Sequence, residues 1–266
     1  MAIPVAVQLY SVRQDAAADL PAVLARVKEM GYDGVEFAGY YDHSAEVLRK
    51  MLDQTGLTCC GTHNAINLLL GDELERTVAF HQTLGATRPI IPGLPPEYTA
   101  SAEAWKKTAG TFNEIAARLK AYGMQTGYHN HHTEFTASDS GELPWDIFFG
   151  NTVDDVIMQF DTGNAWLGGG EALPFLRKYP GRARSVHLKP FSPSLATEAS
   201  PEAGFKPAIG EDETPWAELL QTCESTGGVE WYVIEYESDK YPAMEAIDIC
   251  LRNLRVIMAA GGQGIT

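Results

Sequence analysis

The 266-residue chain has only four cysteines, Cys59, Cys60, Cys223 and Cys250, and two of them are adjacent. None forms a C-x-x-C pair, so neither a disulfide framework nor a zinc ribbon is indicated, and buried free thiols are expected. No apolar run approaches the roughly 20 residues that cross a bilayer, and the N-terminus lacks a basic region and a small-residue cleavage site. We therefore expect a soluble, cytoplasmic protein without a membrane partner.

Positive charge is also scarce. Lysine and arginine together number 20 against 35 acidic residues, which gives a formal net charge of −15. Such a field repels phosphate backbones, so we expect no nucleic-acid partner. The apolar fraction of 45% is ordinary for a globular protein, and a chain of this length buries a large core without disulfides or a structural metal.

The sequence does contain a recurring pattern: an amphipathic helix, a glycine and then a short apolar strand. It appears as LARVKEMGYDGVEF, LRKMLDQTGLTCCGTH, FHQTLGATRPII and IAARLKAYGMQTGYH. The glycines at positions 31, 56, 85 and 123 come where a helix end requires a left-handed residue.

With this pattern the whole chain divides into eight strand and helix units of about 30 residues each. Eight such units fit a closed (β/α)₈ TIM barrel of about 250 residues. We expect a single α/β domain over residues 1–266. The predicted strands span residues 4–10, 33–37, 58–63, 87–92, 124–131, 155–162, 183–188 and 229–236.

In a TIM barrel, chemistry lies at the carboxyl ends of the strands, and here seven of the eight ends are polar. Histidine and carboxylate side chains facing one barrel mouth suit a divalent cation such as Mn²⁺, Co²⁺, Zn²⁺ or Fe²⁺. Without a cation, several carboxylates in one mouth would repel each other. The candidates at the strand ends are Gln8, Tyr10, Glu36, His63, His129, His131, Glu134, Asp161, Asn164, His187 and Glu235, with Lys189 just beyond.

The chain resembles the xylose isomerase-like superfamily of TIM barrels. This is the sugar phosphate isomerase/epimerase group, which includes tagatose 3-epimerase-like enzymes, inosose dehydratase and endonuclease IV. The resemblance runs through VQLYSVR, GYDGVEF, YHNHHTEF, FDTGNAW, HLKP, GEDETPW and YVIEYE. It implies one bound metal ion held by one residue from each of strands 5 to 8, usually Glu, Asp, His and Glu.

The last three of these implied ligands match Asp161, His187 and Glu235. Strand 5 departs from the epimerase pattern because no glutamate lies on the strand itself, and YHNHHTEF is more similar to the inosose dehydratase branch. Glu134 is our predicted fourth ligand, with His129 and His131 as the alternatives. Mn²⁺ is the expected ion, with Co²⁺, Zn²⁺, Fe²⁺ or Mg²⁺ as alternatives.

The resemblance implies an enzyme that removes the α-proton of a keto sugar or cyclitol and stabilises the resulting enediolate. Glu235, Glu134 and His131 are the predicted catalytic residues. The predicted substrate-binding residues are Gln8, Tyr10, Glu36, His63, His129, Asn164 and Lys189. For Lys189 there is also a structural interpretation, an ion pair with Glu211 or Asp212. We prefer this ion pair to contact with an anionic substrate.

The predicted reaction is that of an isomerase or epimerase. The alternative is a lyase that dehydrates a keto-inositol or cleaves a 3-keto-glycoside, because the histidines of strand 5 break the symmetry of a true epimerase. An abasic-site endonuclease and a non-catalytic sugar-binding barrel rank behind both. We also expect a homo-oligomer, and the long Pro-rich segment 189–214 is predicted to form a lid or a subunit contact at the mouth.

Overall fold

The computed structural model describes residues 2–261 of the chain and forms the predicted closed barrel, in which eight parallel strands pair in the order β1 to β8 and β8 pairs back with β1. The barrel is one TIM barrel domain, as the sequence predicted. The strands are β1 (Val5–Gln8), β2 (Gly34–Ala38), β3 (Thr58–His63), β4 (Pro89–Ile91), β5 (Gly127–His129), β6 (Ile157–Asp161), β7 (Ser185–Leu188) and β8 (Trp231–Ile234).

Helices surround the barrel and bury their apolar faces against the outer side of the strands. In the described part of the chain they are α1 (Arg13–Met30), α2 (Ala45–Thr55), α3 (Glu73–Leu84), α4 (Ala102–Lys120), α5 (Pro144–Asn151), α6 (Thr162–Leu167), α7 (Ala172–Lys178), α8 (Trp216–Thr222) and α9 (Ala243–Gly261).

The helix ends follow the sequence signals. Gly31, Gly56 and Gly85 end α1, α2 and α3 in the left-handed conformation, with φ of 100°, 67° and 78°, which confirms the predicted role of these glycines. Helix α1 is kinked at Asp19, whose φ of −156° is not helical. Its carboxylate accepts a hydrogen bond from the backbone N–H of Ala22, so the second half of α1 begins with its own cap.

Several strands are shorter than predicted, because polar residues at the mouth leave the sheet early. β1 ends at Gln8, where the Gln8 side chain accepts a hydrogen bond from the Tyr10 backbone N–H and starts a 3₁₀ turn over Leu9–Val12. β5 covers only Gly127–His129 of the predicted 124–131, since a 3₁₀ turn follows at Thr133–Phe135.

The barrel interior is layered. Ala6, Cys60 and Val233 form an apolar plug at the amino end of the strands, with Trp231 packed against it. Side chains two residues further along a strand return to the same face, so Gln8 follows Ala6 and Glu235 follows Val233 toward the mouth. In β1 and β8 the interior therefore changes from apolar to polar over two residues.

The four cysteines lie within the described residues and are all buried and free, as expected. Over residues 2–261, no helix combines the length and the apolar composition that crossing a membrane requires.

Candidate active site

Four buried side chains meet at the mouth of the barrel: His129 from β5, Asp161 from β6, His187 from β7 and Glu235 just after β8. Each offers a ligand atom, and these atoms lie within 4.8 Å of one another. Asp161 and His187 are register partners in neighbouring parallel strands, so the sheet places their side chains side by side. We call these four residues the mouth cluster.

Burial and mutual charge shift the proton affinities of the mouth cluster. Burial and the neighbouring Glu235 carboxylate raise the pKa of Asp161 to about 7. Burial alone would lower the pKa of His187, but the Glu36 and Glu235 carboxylates outweigh it and raise that pKa to about 10. Burial works to raise the pKa of Glu235, yet Lys189 and His187 hold it well below its ordinary value.

One oxygen of the cluster marks a place for a cation. Asp161 Oδ1 accepts a hydrogen bond from the Asn164 backbone N–H at 2.7 Å, whereas the buried Oδ2 has no hydrogen-bond partner among residues 2–261. Oδ2 lies 3.9 Å from His187 Nδ1 and 4.0 Å from His129 Nε2. Ligand atoms that share a single ion, each at about 2.0–2.2 Å from it, are spaced in this way. These residues therefore fit a divalent metal.

Beneath the cluster lies a layer of polar side chains built around Glu36, which is fully buried. Glu36 Oε2 accepts hydrogen bonds from Gln8 Nε2 at 2.9 Å and from His187 Nε2 at 2.6 Å. Glu36 Oε1 accepts from Gln159 Nε2 at 2.8 Å. His63 completes the layer, with Nε2 2.8 Å from Gln159 Oε1.

Lys189 extends from the end of β7 into the site. Its Nζ donates to Glu235 Oε1 at 3.1 Å and also to Glu237. The preferred pairing with Glu211 or Asp212 is therefore wrong. Those two carboxylates are engaged in the following loop, where Glu211 pairs with Lys240.

A cleft of about 960 Å³ opens above the cluster, and His129, Lys189 and Glu235 lie in its wall. The segment 189–214 supplies one side of this cleft through Ser200, Glu202, Ala203, Phe205 and Lys206. Phe205 packs edge-on against Phe191 with ring centroids 4.9 Å apart, and Lys206 O accepts a hydrogen bond from Tyr236 OH at 2.6 Å. The segment is thus fastened to the barrel at the mouth.

Most of the residues predicted for the site reach this cleft or the mouth cluster, and two do not. The residues in the cleft wall are Gln8, Tyr10, His63, His129, His131, Asn164, Lys189 and Glu235. Asp161 and His187 lie in the mouth cluster. Glu36 lies below the cleft, where its carboxylate is enclosed by its hydrogen-bond donors and is out of reach of a substrate.

Glu134 is the second residue that lies elsewhere. Its Oε1 accepts a hydrogen bond from Tyr128 OH at 2.6 Å, and its Oε2 accepts from the His131 backbone N–H at 2.9 Å. Tyr128 points to the aromatic layer between barrel and helices, where it packs on Trp105 and Phe148. The structure therefore brings His129, and not Glu134, to the mouth cluster from strand 5.

Sequence reasoning missed Gln159 and Asn130. Gln159 lies two residues before Asp161 and so faces the same interior, a signal that strand alternation carries. Asn130 holds the Asp161 backbone, with Oδ1 2.8 Å from the Asp161 nitrogen and Nδ2 3.0 Å from its carbonyl oxygen. Nothing in the local sequence distinguishes that role from a surface asparagine.

Comparison with known proteins agrees with this architecture. Inosose dehydratase of Klebsiella pneumoniae (strain 342) is 26% identical over 250 residues, which cover 82% of each chain. The structure of a sugar phosphate isomerase/epimerase from Parabacteroides distasonis superposes with a TM-score of 0.80 at 21% identity and covers 95% of both chains. An L-ribulose 3-epimerase structure superposes with a TM-score of 0.70 at 14% identity, covering 98% of this chain and 96% of its own.

The family model described as xylose isomerase-like TIM barrel matches residues 24–256, which is most of the chain and includes β2 to β8 with the mouth cluster. The resemblance inferred from the sequence motifs is thereby confirmed. The chain belongs to the xylose isomerase-like TIM barrel family.

Proposed function

We propose that this protein is a divalent-metal-dependent enzyme that removes the α-proton of a keto sugar or cyclitol, and that its reaction is a dehydration. The observation that carries the proposal is the mouth cluster, with its unpartnered Asp161 oxygen and a single glutamate, Glu235. The proposed ligands are His129, Asp161, His187 and Glu235. Two imidazoles and two carboxylates suit Mn²⁺, Co²⁺, Zn²⁺ or Fe²⁺ better than Mg²⁺, which prefers oxygen.

A divalent ion bound there would supply Lewis-acid polarisation of the substrate carbonyl. Glu235 is the proposed base, since it lies in the cleft wall and its lowered pKa keeps it ionised. Lys189, 3.1 Å from Glu235 Oε1, holds that carboxylate in place and balances its charge. Both side chains are largely buried, so little of either group is exposed to solvent.

His131 is the proposed acid on the other side of the cleft. It lies in the cleft wall just beyond β5, three strands around the barrel from Glu235. Its proposed role is to protonate the departing hydroxyl, which then leaves as water and completes a β-elimination. An epimerase needs a base on each face of the substrate, and the carboxylate expected on the strand 5 side, Glu134, is bound to Tyr128 and the His131 backbone.

The name of the Klebsiella pneumoniae relative, inosose dehydratase, supports the same choice of reaction. Isomerisation or epimerisation is the second candidate, with His131 returning the proton in place of a second carboxylate. The acidic side chains at the rim of the cleft, Glu202, Glu237 and Asp239, weigh against an abasic-site nuclease. Cytoplasmic location and homo-oligomer formation stay predictions.

The test is incubation of Mn²⁺-loaded protein with a panel of keto-inositols and 3-keto-glycosides in D₂O, followed by mass spectrometry and NMR. Loss of water from the substrate supports dehydration. Deuterium at the α-carbon together with an epimeric product supports the second candidate instead. Metal binding with neither reaction nor exchange across the panel would overturn the catalytic proposal in favour of a sugar-binding barrel.

Glu235→Gln and Glu230→Gln form a matched pair for this assay. Both remove one carboxylate charge near β8, but Glu230 lies at the opposite end of the strand, where it pairs with Arg88. We expect Glu235→Gln to lower turnover by about 100- to 10,000-fold, the usual range for loss of a general base, and Glu230→Gln to leave it unchanged.

A further inference from the structure

Glu36 is a buried carboxylate for which the proposed reaction has no use, although it is bound directly to the mouth cluster. It lies in the middle of β2 and faces the barrel interior. His187 has one ring nitrogen, Nε2, 2.6 Å from Glu36 Oε2 and the other, Nδ1, 2.6 Å from Glu235 Oε2. Only the Nδ1 side faces Asp161 Oδ2, which is 3.9 Å away.

We propose that Glu36 is a positioning residue that holds the His187 proton on Nε2 and thereby directs the Nδ1 lone pair at the metal. This inference rests on the metal site proposed above. A metal-bound imidazole has released one of its two ring protons, and the hydrogen bond made by one nitrogen decides which nitrogen is free to bind the metal. The carboxylate below the ring therefore selects the ligand atom above it.

Two amide groups with fixed orientations support this direction of the hydrogen bond. Gln8 Oε1 accepts from the Tyr10 backbone N–H at 3.1 Å, so its NH₂ group faces Glu36. Gln159 Oε1 lies 2.8 Å from His63 Nε2, so its NH₂ group also faces Glu36. With NH₂ donors aimed at both oxygens, Glu36 acts as an acceptor, and His187 Nε2 is left as the donor.

Gly61 makes room for this carboxylate. It is the register partner of Glu36 on the neighbouring strand β3. A Cβ atom built on Gly61 would lie 2.5 Å from Glu36 Oε1, closer than nonbonded atoms approach. An alanine at this position would push the carboxylate off His187 without altering any proposed metal ligand, so it offers a second and independent way to remove the contact.

The experiment measures Mn²⁺ affinity of the full chain by calorimetric titration in Glu36→Gln, Gly61→Ala and the control Glu230→Gln. Folding of each variant is checked by circular dichroism. Loss of an outer contact to a metal-binding histidine weakens binding by about 10- to 100-fold, and we expect this loss in both test variants and not in the control. Glu36→Gln keeps the side-chain volume, so it remains decisive if Gly61→Ala fails to fold.

A second measurement records the NMR signals of the ¹⁵N-labelled His187 ring in the Zn²⁺-loaded protein. We expect a metal-bound Nδ1 and a protonated Nε2 with a strongly downfield proton, and an upfield move of that proton in Glu36→Gln. Wild-type Mn²⁺ affinity in Glu36→Gln, or Zn²⁺ bound to Nε2, would overturn the positioning role alone. Failure of the wild-type protein to bind Mn²⁺ or Zn²⁺ would overturn the metal site together with it.

Discussion

Replacing Asp161 by asparagine should make the metal-free protein more stable and the metal-loaded protein less stable. The pKa of Asp161 rises from its ordinary 3.8 to about 7 because the carboxylate is buried beside Glu235. At about 1.36 kcal/mol per tenfold change in proton affinity, its ionised form destabilises the fold by on the order of 4 kcal/mol. Asparagine keeps the acceptor for the Asn164 backbone N–H but carries no charge.

The sign of the pH dependence follows from that raised pKa. Between about pH 4 and pH 7 the folded wild-type protein holds a proton on Asp161 that the unfolded chain has lost, so the free energy of unfolding falls as the pH rises. The asparagine of the variant does not titrate. The difference in stability between Asp161→Asn and the wild type should therefore be near zero at pH 4 and approach its full value at pH 8.

A divalent ion reverses this order, because it takes the place of the proton. At about 1,000 times its dissociation constant a ligand adds about 4.1 kcal/mol to the stability of the folded state, which offsets the advantage of the variant, so the order reverses above that concentration. The assay is urea unfolding at pH 5 and pH 8, with EDTA and with Mn²⁺. Equal Mn²⁺ stabilisation of both proteins, or a metal-free variant less stable than the wild type at pH 8, would refute the role given to Asp161.

Three further predictions concern other parts of the molecule. His129→Ala should lose the metal ion while Glu134→Gln retains it, as measured by elemental analysis; the reverse result would return Glu134 to the ligand set. Replacing residues 194–206 by a short Gly/Ser link should leave metal content unchanged but raise KM or lower kcat, and unchanged kinetics would show that the segment does not close the site. Arg182→Ala should cost about 3 kcal/mol or more in urea unfolding, because the buried guanidinium serves four carbonyl oxygens; a loss under about 1 kcal/mol would contradict this.

The barrel was predictable from the sequence because its signals are local and repeated. The helices carry their apolar spacing, and the glycines that end α1, α2 and α3, Gly31, Gly56 and Gly85, have the positive φ that the chain reversal demands. Asp161, His187 and Glu235 were equally accessible, since a residue at the end of a parallel strand faces the mouth if the alternation of the strand directs it inward.

The fourth residue of the mouth cluster was chosen from the resemblance, which implies a glutamate on strand 5, so Glu134 was predicted and His129 was kept as an alternative. Glu134 lies five residues after His129, outside β5, in a 3₁₀ turn that directs its side chain away from the mouth to Tyr128 OH. Spacing along the chain does not give the direction of a side chain once the strand has ended. The partner of Lys189 was missed for a related reason, because Glu235 is distant in sequence but adjacent across the β7 and β8 pair.

The charges at the mouth depend on the layer beneath them. Taken alone, a buried aspartate, a buried glutamate and two histidines would be costly, since each charge loses its hydration. Here Glu36 and Lys189 add one negative and one positive charge, each hydrogen-bonded to a member of the cluster. Among residues 2–261 the arrangement leaves Asp161 Oδ2 and His129 Nδ1 without a hydrogen-bond partner, and the cation that we propose would bind the Asp161 oxygen.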